Sequence, residues 1–342
     1  MKKGYNKPNL KSLYYDAEVK KIPSLNGKTI AITGTTTGIG YVAAKTVAER
    51  GARTILLNRK SDRSKTSLER LKSELPESNF ENIECDLQSF ESVRTAARKV
   101  TDLCINGLDS LCNNAGIMAL KDTATVDGFD VQMQTNHLSH FLLTKELFPV
   151  LKIAAELRGD ARVVNHSSIA RYGDKKLKPE YFEKRGGNLG GDSSNMIVAS
   201  ITRKGRWARY SQTKLANAAF TACLHEKFQQ AGLHNLKSLV AHPGVAMSDL
   251  QTTTVKDGGM SAWLARQMMK NGQTMEDGAL AVIKCMTDED AQSGTFYGPG
   301  KGLMAAKGKV VSFDLEKFYD NRQAKDLLWS KSCEAIEQDF IV

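Results

Sequence analysis

The sequence predicts an α/β fold: a single doubly wound domain, its sheet mostly parallel, with helices on both faces. Three observations carry this. Short apolar runs alternate with longer amphipathic stretches along most of the 342 residues. The apolar runs are continuous, as strands buried on both faces require. A glycine-rich turn, TGTTTGIG at 33–40, joins the first run to the first amphipathic stretch.

Taken in order, KTIAITG (28–34) reads as the first strand, and GYVAAKTVAERG (40–51) as a helix ended by a glycine cap. RTILLN (53–58) is the second strand, followed by a polar helix to about Leu75. NFENIEC (79–85) is the third strand, and SFESVRTAARKV (89–100) a helix opening on a serine cap. LDSLCNN (108–114) is the fourth strand, a long helical region covers 125–157, and ARVVNHSS (161–168) is the fifth strand. Helix 207–231 and strand LKSLVAH (236–242) follow, and polar helix-like sequence occupies 314–337. The segment 169–206, with RGGNLGGDSS and many charges, breaks the rhythm. A loop of that length inside a compact domain is functional or disordered as a rule. The organisation predicted is a basic extension over 1–26 and one domain over 27–342. That domain carries an insertion at about 170–206 and a C-terminal helical segment.

Composition is that of a globular chain, 41% apolar and 25% charged. No apolar run is long enough to span a membrane, and the first residues have no apolar core of a secretory signal. The six cysteines are scattered without paired spacing, which fits a reduced intracellular compartment. No Cys/His cluster has metal-ligand spacing, so no metal is expected. The net charge of +10 sits in two stretches, +4 in residues 1–21 and +6 in 170–209. No nucleic-acid-binding motif accompanies it. Solvated surface lysines are the plain explanation; a patch facing an anionic substrate, a partner or a membrane surface is the alternative.

The turn names a ligand class. Gly34, Gly38 and Gly40, with Thr36 and Ile39 between them, let the backbone approach a pyrophosphate at a helix N-terminus. The spacing is G-x-x-x-G-x-G. At the end of the second strand, an acidic residue would hold a ribose hydroxyl, and an arginine accommodates a 2′-phosphate. Here Asn58, Arg59 and Lys60 occupy it, and no carboxylate appears before Asp62. That favours NADP(H).

ARYSQTKLA (208–216) holds Tyr210 and Lys214, four apart and so on one helix face. YGDKK offers a second pair, Tyr172 and Lys176. Spacing alone leaves both open. Gly173, Asp174 and Pro179 argue against a helix at the second pair, whereas Leu215, Ala218, Ala219, Ala222 and Phe228 give the first one helical apolar spacing. A tyrosine near neutrality needs a neighbouring cation to lower its pKa, which Lys214 would supply. His137 and His140 are expected to pack or cap. Met247, Met260, Met268, Met269, Trp263 and Leu264 suggest either core or a flexible apolar lid.

With these residues in view, the chain resembles the short-chain dehydrogenase/reductase family over about 28–300. The resemblance rests on TGTTTGIG, NNAG (113–116), TNHLSHFLLT (135–144), VVNHSS (163–168), YSQTK (210–214) and HPGVAMSDL (242–250), all in the family's order. TNHLSHFLLT, YSQTKLAN, HPGV and FYGPG are most similar to its retinol-dehydrogenase-like members. SSNMI (193–197) is similar to the inserted loop of the light-dependent protochlorophyllide reductases. The resemblance implies a Rossmann-type domain and assigns residues. Asp86 and Leu87 flank the adenine. Asn113, Ala115 and Gly116 line the cofactor channel. Asn136 holds Lys214 through a water. Ser168, rather than Ser167, polarises the substrate oxygen. Pro243, Gly244 and Val245 lie along the nicotinamide, and Ser248 stands where the family often has threonine. Tyr210 is the acid–base, and Lys214 also meets the ribose. The 42 residues from Ser168 to Tyr210 exceed the compact members' spacing and put the substrate mouth in question.

The expected function is an NADPH-dependent oxidoreductase acting on the carbonyl or alcohol of a bulky, largely apolar molecule, retinal-like, steroid-like or polyketide-like. An anionic substrate is allowed by the charge. Reduction of an activated C=C bond, or a non-catalytic NADP(H)-binding scaffold, are the alternatives. A homodimer is allowed. The expected setting is intracellular and soluble, with peripheral membrane association left open.

Overall fold

The protein is described by a computed structural model covering residues 9–185, 187–194, 204–301 and 305–342. Its centre is one eight-stranded sheet in the order β3-β2-β1-β4-β5-β6-β7-β8. The strands are β1 (Thr29–Thr33), β2 (Arg53–Asn58), β3 (Phe80–Glu84), β4 (Ser110–Asn113), β5 (Ala161–His166), β6 (Leu236–Ala241), β7 (Thr295–Lys301) and β8 (Lys307–Phe313). All pair in parallel except β7 with β8. The order reverses between β1 and β4, and a crevice opens at the carboxyl ends there.

The period of two along the strands divides the core. Ile30 and Ile32 of β1 pack with α2 (Gly38–Glu49) and α10 (Met275–Thr287). Ala31 faces the opposite layer, with α4 (Phe90–Leu103), α6 (Ser139–Arg158) and α7 (Arg206–Gln230). The other helices are α1 (Tyr15–Val19), α3 (Asp62–Glu74), α5 (Val131–Met133), α8 (Asp249–Lys256), α9 (Ala262–Lys270) and α11 (Arg322–Ile336). The last three helices before β7 start on hydroxyl caps, Ser248, Ser261 and Thr274.

The first six strands lie where the apolar runs place them. Strands β7 and β8 were not predicted. TFYGPGK is interrupted by Gly298, Pro299 and Gly300, and the ladder absorbs the proline at a register shift between Pro299 and Lys301. Residues 9–26 are packed on the domain. The Asp277 carboxylate, at the start of α10, accepts from Ser12 Oγ at 2.7 Å and from the amides of Leu13, Tyr14 and Tyr15 at 2.8–3.0 Å. Ile22 and Leu25 are buried behind it.

Much of the inserted segment is structured. Its 3₁₀ turn Pro179–Phe182 buries Tyr181 and Phe182, the latter ring 5.7 Å from His137. His137 itself bonds Ser332 of α11 at 2.9 Å. Trp329 and Phe340 lie 5.2 and 5.6 Å from Phe141, so the C-terminal segment covers α6. The basic excess of 170–209 is largely paired within the fold: Arg171 with Glu316, Lys184 with Glu337, Arg206 with Asp257 and Arg209 with Asp130. Asn195, Met196 and Ile197 of SSNMI lie outside the described residues.

Candidate active site

The switch point is built first. Thr33 Oγ1 accepts from the amides of Asn114 and Ala115 at 3.0 and 2.9 Å, and Asn114 Nδ2 donates to the carbonyls of Thr33 and Gly34 at 2.9 and 3.2 Å. The ends of β1 and β4 are thereby fixed to each other. Gly34 has φ +72°, and a Cβ there would stand 2.8 Å from Ala115 Cα; one on Gly40 would stand 2.2 Å from Gly34 O. Helix α2 starts at Gly38, and Thr37 gives it no side-chain cap. Its first amides are therefore offered to a ligand, and an anion suits them.

A cleft of about 850 Å³ runs along the carboxyl ends of the strands. Its wall contains Gly34, Thr36, Gly38, Ile39 and Gly40 of the turn, then Asn58 and Arg59 after β2, and Asp86 and Leu87 after β3. Ala115 and Gly116, then Ser168, Tyr210 and Lys214, and finally Pro243, Gly244, Val245 and Ser248 complete it. The Ser248 hydroxyl is committed to a capping box with Gln251 at the start of α8.

Two of the expected cofactor contacts stand elsewhere. Lys60 is exposed and outside the wall. Asn113 is buried beneath the cleft, where its Nδ2 donates to Thr144 Oγ1 at 3.1 Å and Asn165 Oδ1 at 2.9 Å. The side-chain alternation of β4 turns it inward, and the wall position falls to Asn114. Asn58 holds the turn rather than facing the cleft freely: its side chain bonds Thr35 N and Thr35 Oγ1, both at 2.8 Å. Arg63 of α3 lines the cleft and reaches Thr37 Oγ1 at 3.2 Å and Asp249 at 3.3 Å. The sequence reading stopped at the strand end and missed it. Its signal is the position two residues after the Ser61 cap, on the first turn of α3 beside the phosphate-facing loop.

Asn136 sits behind the wall, on a π-helical turn (Gln134–Leu138) between α5 and α6. One extra residue in the turn re-aims its side chain. Its Oδ1 accepts from Ile117 N at 2.8 Å, and its Nδ2 donates to Ile117 O and Thr213 Oγ1, both at 2.9 Å. A Cβ on Gly116 would lie 3.2 Å from Asn136 Oδ1 and 3.5 Å from Lys214 Nζ, so the two polar groups meet behind that glycine. Lys214 Nζ donates to His166 O at 3.0 Å.

Tyr210, 4% exposed, lines the same cleft as Ser168, whose hydroxyl is near enough to favour the phenolate. Lys214 Nζ is 5.8 Å from its ring centre. The neighbouring serine does a different job: Ser167 Oγ, fully buried, donates to Lys214 O at 2.7 Å. Burial pushes the Tyr210 phenol up to about 12 against the lowering effect of Ser168, and pushes Lys214 down to about 8. Lys214 does not figure among the causes of the Tyr210 shift; its Nζ is turned to His166 O. Tyr172 is 38% exposed, and its hydroxyl bonds Glu316 at 2.5 Å and accepts from Arg171 at 2.7 Å. Its 3₁₀ turn ends at Gly173, so Lys176 shares no helix face with it.

Beyond Tyr210 the wall is neutral: Met118, Ala170, Trp207, Leu250, Met260 and Met268. Among the described residues, the charged side chains of the cleft are Arg59, Arg63, Asp86, Asp249 and Lys214. The Met-rich segment is held closed by Trp207 Nε1 to Gly259 O at 2.9 Å and Thr254 Oγ1 to Met118 O at 2.7 Å. Among the described residues no helix is long and apolar enough to cross a membrane.

Residues 28–181 match the family model of the short chain dehydrogenases. The chain is 34% identical over 231 residues to an uncharacterized oxidoreductase of Schizosaccharomyces pombe, covering 67% of this chain and 63%, under two thirds, of that relative. It is 28% identical over 334 residues to retinol dehydrogenase 12 of Homo sapiens, covering 96% of this chain and 92% of that one. A solved structure of an uncharacterized protein from Mycobacterium paratuberculosis shares the fold with a TM-score of 0.70 at 29% identity, over 95% of this chain and 98% of that one. The order of the sheet, the turn at its switch point and these relatives agree: the chain belongs to the short-chain dehydrogenase/reductase family and is similar, within it, to the retinol dehydrogenases.

Proposed function

We propose that the protein reduces the carbonyl of a bulky, neutral and largely apolar aldehyde or ketone with NADPH, or runs the reverse oxidation. The observation that carries this is the meeting of Ser168 and Tyr210 on the cleft wall at the foot of its apolar part, with Lys214 one helical turn on. Two hydroxyls converging on one point suit a carbonyl oxygen. Retinol, named by one relative, is an apolar alcohol of this class.

The cradle at Gly34 and Gly40, which a Cβ would fill, fits a dinucleotide pyrophosphate. Arg59 and Arg63 line the wall at the end of β2, where no carboxylate is placed to hold a ribose hydroxyl, and two guanidinium groups suit the 2′-phosphate. The bound nicotinamide would supply the hydride. Tyr210, its proton held firmly by burial, gives that proton to the carbonyl oxygen as negative charge develops there. Ser168 Oγ donates a hydrogen bond to the same oxygen. Lys214, a cation below about pH 8, stabilises the phenolate left behind. The apolar wall excludes water from the transfer. An anionic substrate has no cation beyond Tyr210 to meet it among the described residues.

The test is Tyr210→Phe. Turnover of apolar aldehydes falls by about 10²- to 10⁴-fold, while NADPH binding, read by fluorescence quenching, holds. Undiminished turnover in that variant rules the mechanism out.

A further inference from the structure

The Ser168 hydroxyl works only if the short turn that carries it holds still. Ser168 lies at the end of β5, outside the sheet ladder, and its Oγ accepts from Ala170 N at 3.2 Å within its own 3₁₀ turn. What ties this turn to the rest of the fold is the side chain of Arg171, a residue of the turn whose own amide also donates to Ser168 O at 3.1 Å. Its Nη1 donates to Ser168 O at 3.1 Å. Its guanidinium lies 4.1 Å over the Phe296 ring of β7 and 4.2 Å over Tyr172. Glu316, in the segment between β8 and α11, takes Arg171 Nη2 at 2.5 Å and Nε at 3.2 Å. Tyr172 closes the ring of bonds by joining both partners. Arg171 is 4% exposed and the Glu316 side chain 22%, so the guanidinium is largely shielded from water.

We propose that Arg171 is a positioning residue for Ser168, and that Glu316 of the C-terminal segment locks it in that role. The planar guanidinium is what the geometry demands. Its fork meets the carboxylate on one edge while a further N–H is left to hold the serine carbonyl, and an ammonium cannot span both. The fork, stacked between two rings, has one orientation. Glu316 thereby takes part in positioning Ser168 although it touches no reactant. Tyr172 gains a reason of its own: it is part of the clamp, and its hydroxyl is engaged there rather than available as an acid.

The inference rests on the carbonyl-reduction reading above, and a double-mutant cycle separates the two. Arg171→Met is expected to lower kcat about tenfold or more, with KM for aldehyde changed less and NADPH binding unchanged. Arg171→Lys recovers little, and Glu316→Gln, which keeps an acceptor of the same shape, falls between. In a Ser168→Ala background, Arg171→Met adds no further loss of kcat, because the group it positions is already gone. A loss of the same factor in both backgrounds, or an unchanged kcat in wild type, overturns the proposal. If Arg171→Met does not fold, Glu316→Gln is carried through the same cycle. Failure of the underlying reading shows differently, as a wild-type enzyme whose turnover is indifferent to Tyr210→Phe.

Discussion

The two adjacent serines offer a crossed experiment. Ser168→Ala removes a hydrogen-bond donor from the point where charge develops on the substrate oxygen. Deleting one such donor costs about 10²- to 10³-fold in kcat, on the order of 3 kcal/mol. It also removes a cap from a short 3₁₀ turn, an exposed-side bond worth about 1 kcal/mol at most. Ser167→Ala is the reverse. It deletes a buried 2.7 Å bond to Lys214 O, worth about 1 kcal/mol. In a domain of this size that is a fall in Tm of about 2 °C. The carbonyl it leaves belongs to the backbone of α7, and Lys214 Nζ, its working end, is held by His166 O and not by Ser167. The expected pattern is therefore two variants of nearly equal Tm whose kcat values differ by about two orders of magnitude. Steady-state NADPH oxidation and thermal denaturation of the same preparations read both. Equal losses of kcat at the two positions would refute the assignment of Ser168 and with it the separation of the serines.

Four further outcomes follow from the geometry. Lys214 has a folded pKa of about 8, below its unfolded value, so kcat/KM for reduction falls as pH rises through about 8, and Lys214→Met removes that limb. The same depression costs stability below about pH 8 and relaxes as pH rises towards the unfolded value, so Lys214→Met is the more stable protein at pH 7 by up to about 3 kcal/mol, and denaturant titrations at pH 7 and 10 show the gain shrinking. Reversing Arg59 and Arg63 together to Asp weakens NADPH by about 10²-fold, on the order of two lost charge-assisted contacts, and leaves NADH nearly unchanged; equal weakening of both cofactors in equilibrium titrations contradicts the phosphate assignment. Arg209 and Asp130 are both fully buried and 2.9 Å apart. Arg209→Met strands the carboxylate and destabilises by about 3–5 kcal/mol in urea unfolding, and a change under about 1 kcal/mol contradicts the buried pair.

What the sequence disclosed follows its physics. Strands β1 to β6 were legible because burial on both faces demands continuous apolar runs, and the turn because close backbone approach demands glycine. Tyr210 was separable from Tyr172 because one lies in a long helix and the other in a short turn ended by Gly173. Strand β7 was hidden because its bulge admits Pro299, a residue that argues against a strand everywhere else. Asn113 and Asn114 were indistinguishable in NNAG, since the sequence does not say which of two consecutive side chains a strand end turns inward. Arg63 and Glu316 were silent for a different reason. Each acts through a partner far along the chain, Asp249 in one case and Arg171 in the other, and a lone charge on a polar helix or loop looks solvated.

The carboxylate of Asp277 has a consequence in time. Helix α1 is five residues long, too short to persist alone. The amides of Leu13, Tyr14 and Tyr15 and the Ser12 hydroxyl find their acceptor only on a residue more than 260 positions later. During synthesis the sheet from β3 to β6 can assemble while these four donors still lack their acceptor, held near only by contacts such as Tyr15 Oη to Thr46 Oγ1. A protease pulse on stalled nascent chains should therefore cut near residue 15 in chains halted before α10 has cleared the ribosome, and lose that cut in chains halted after it.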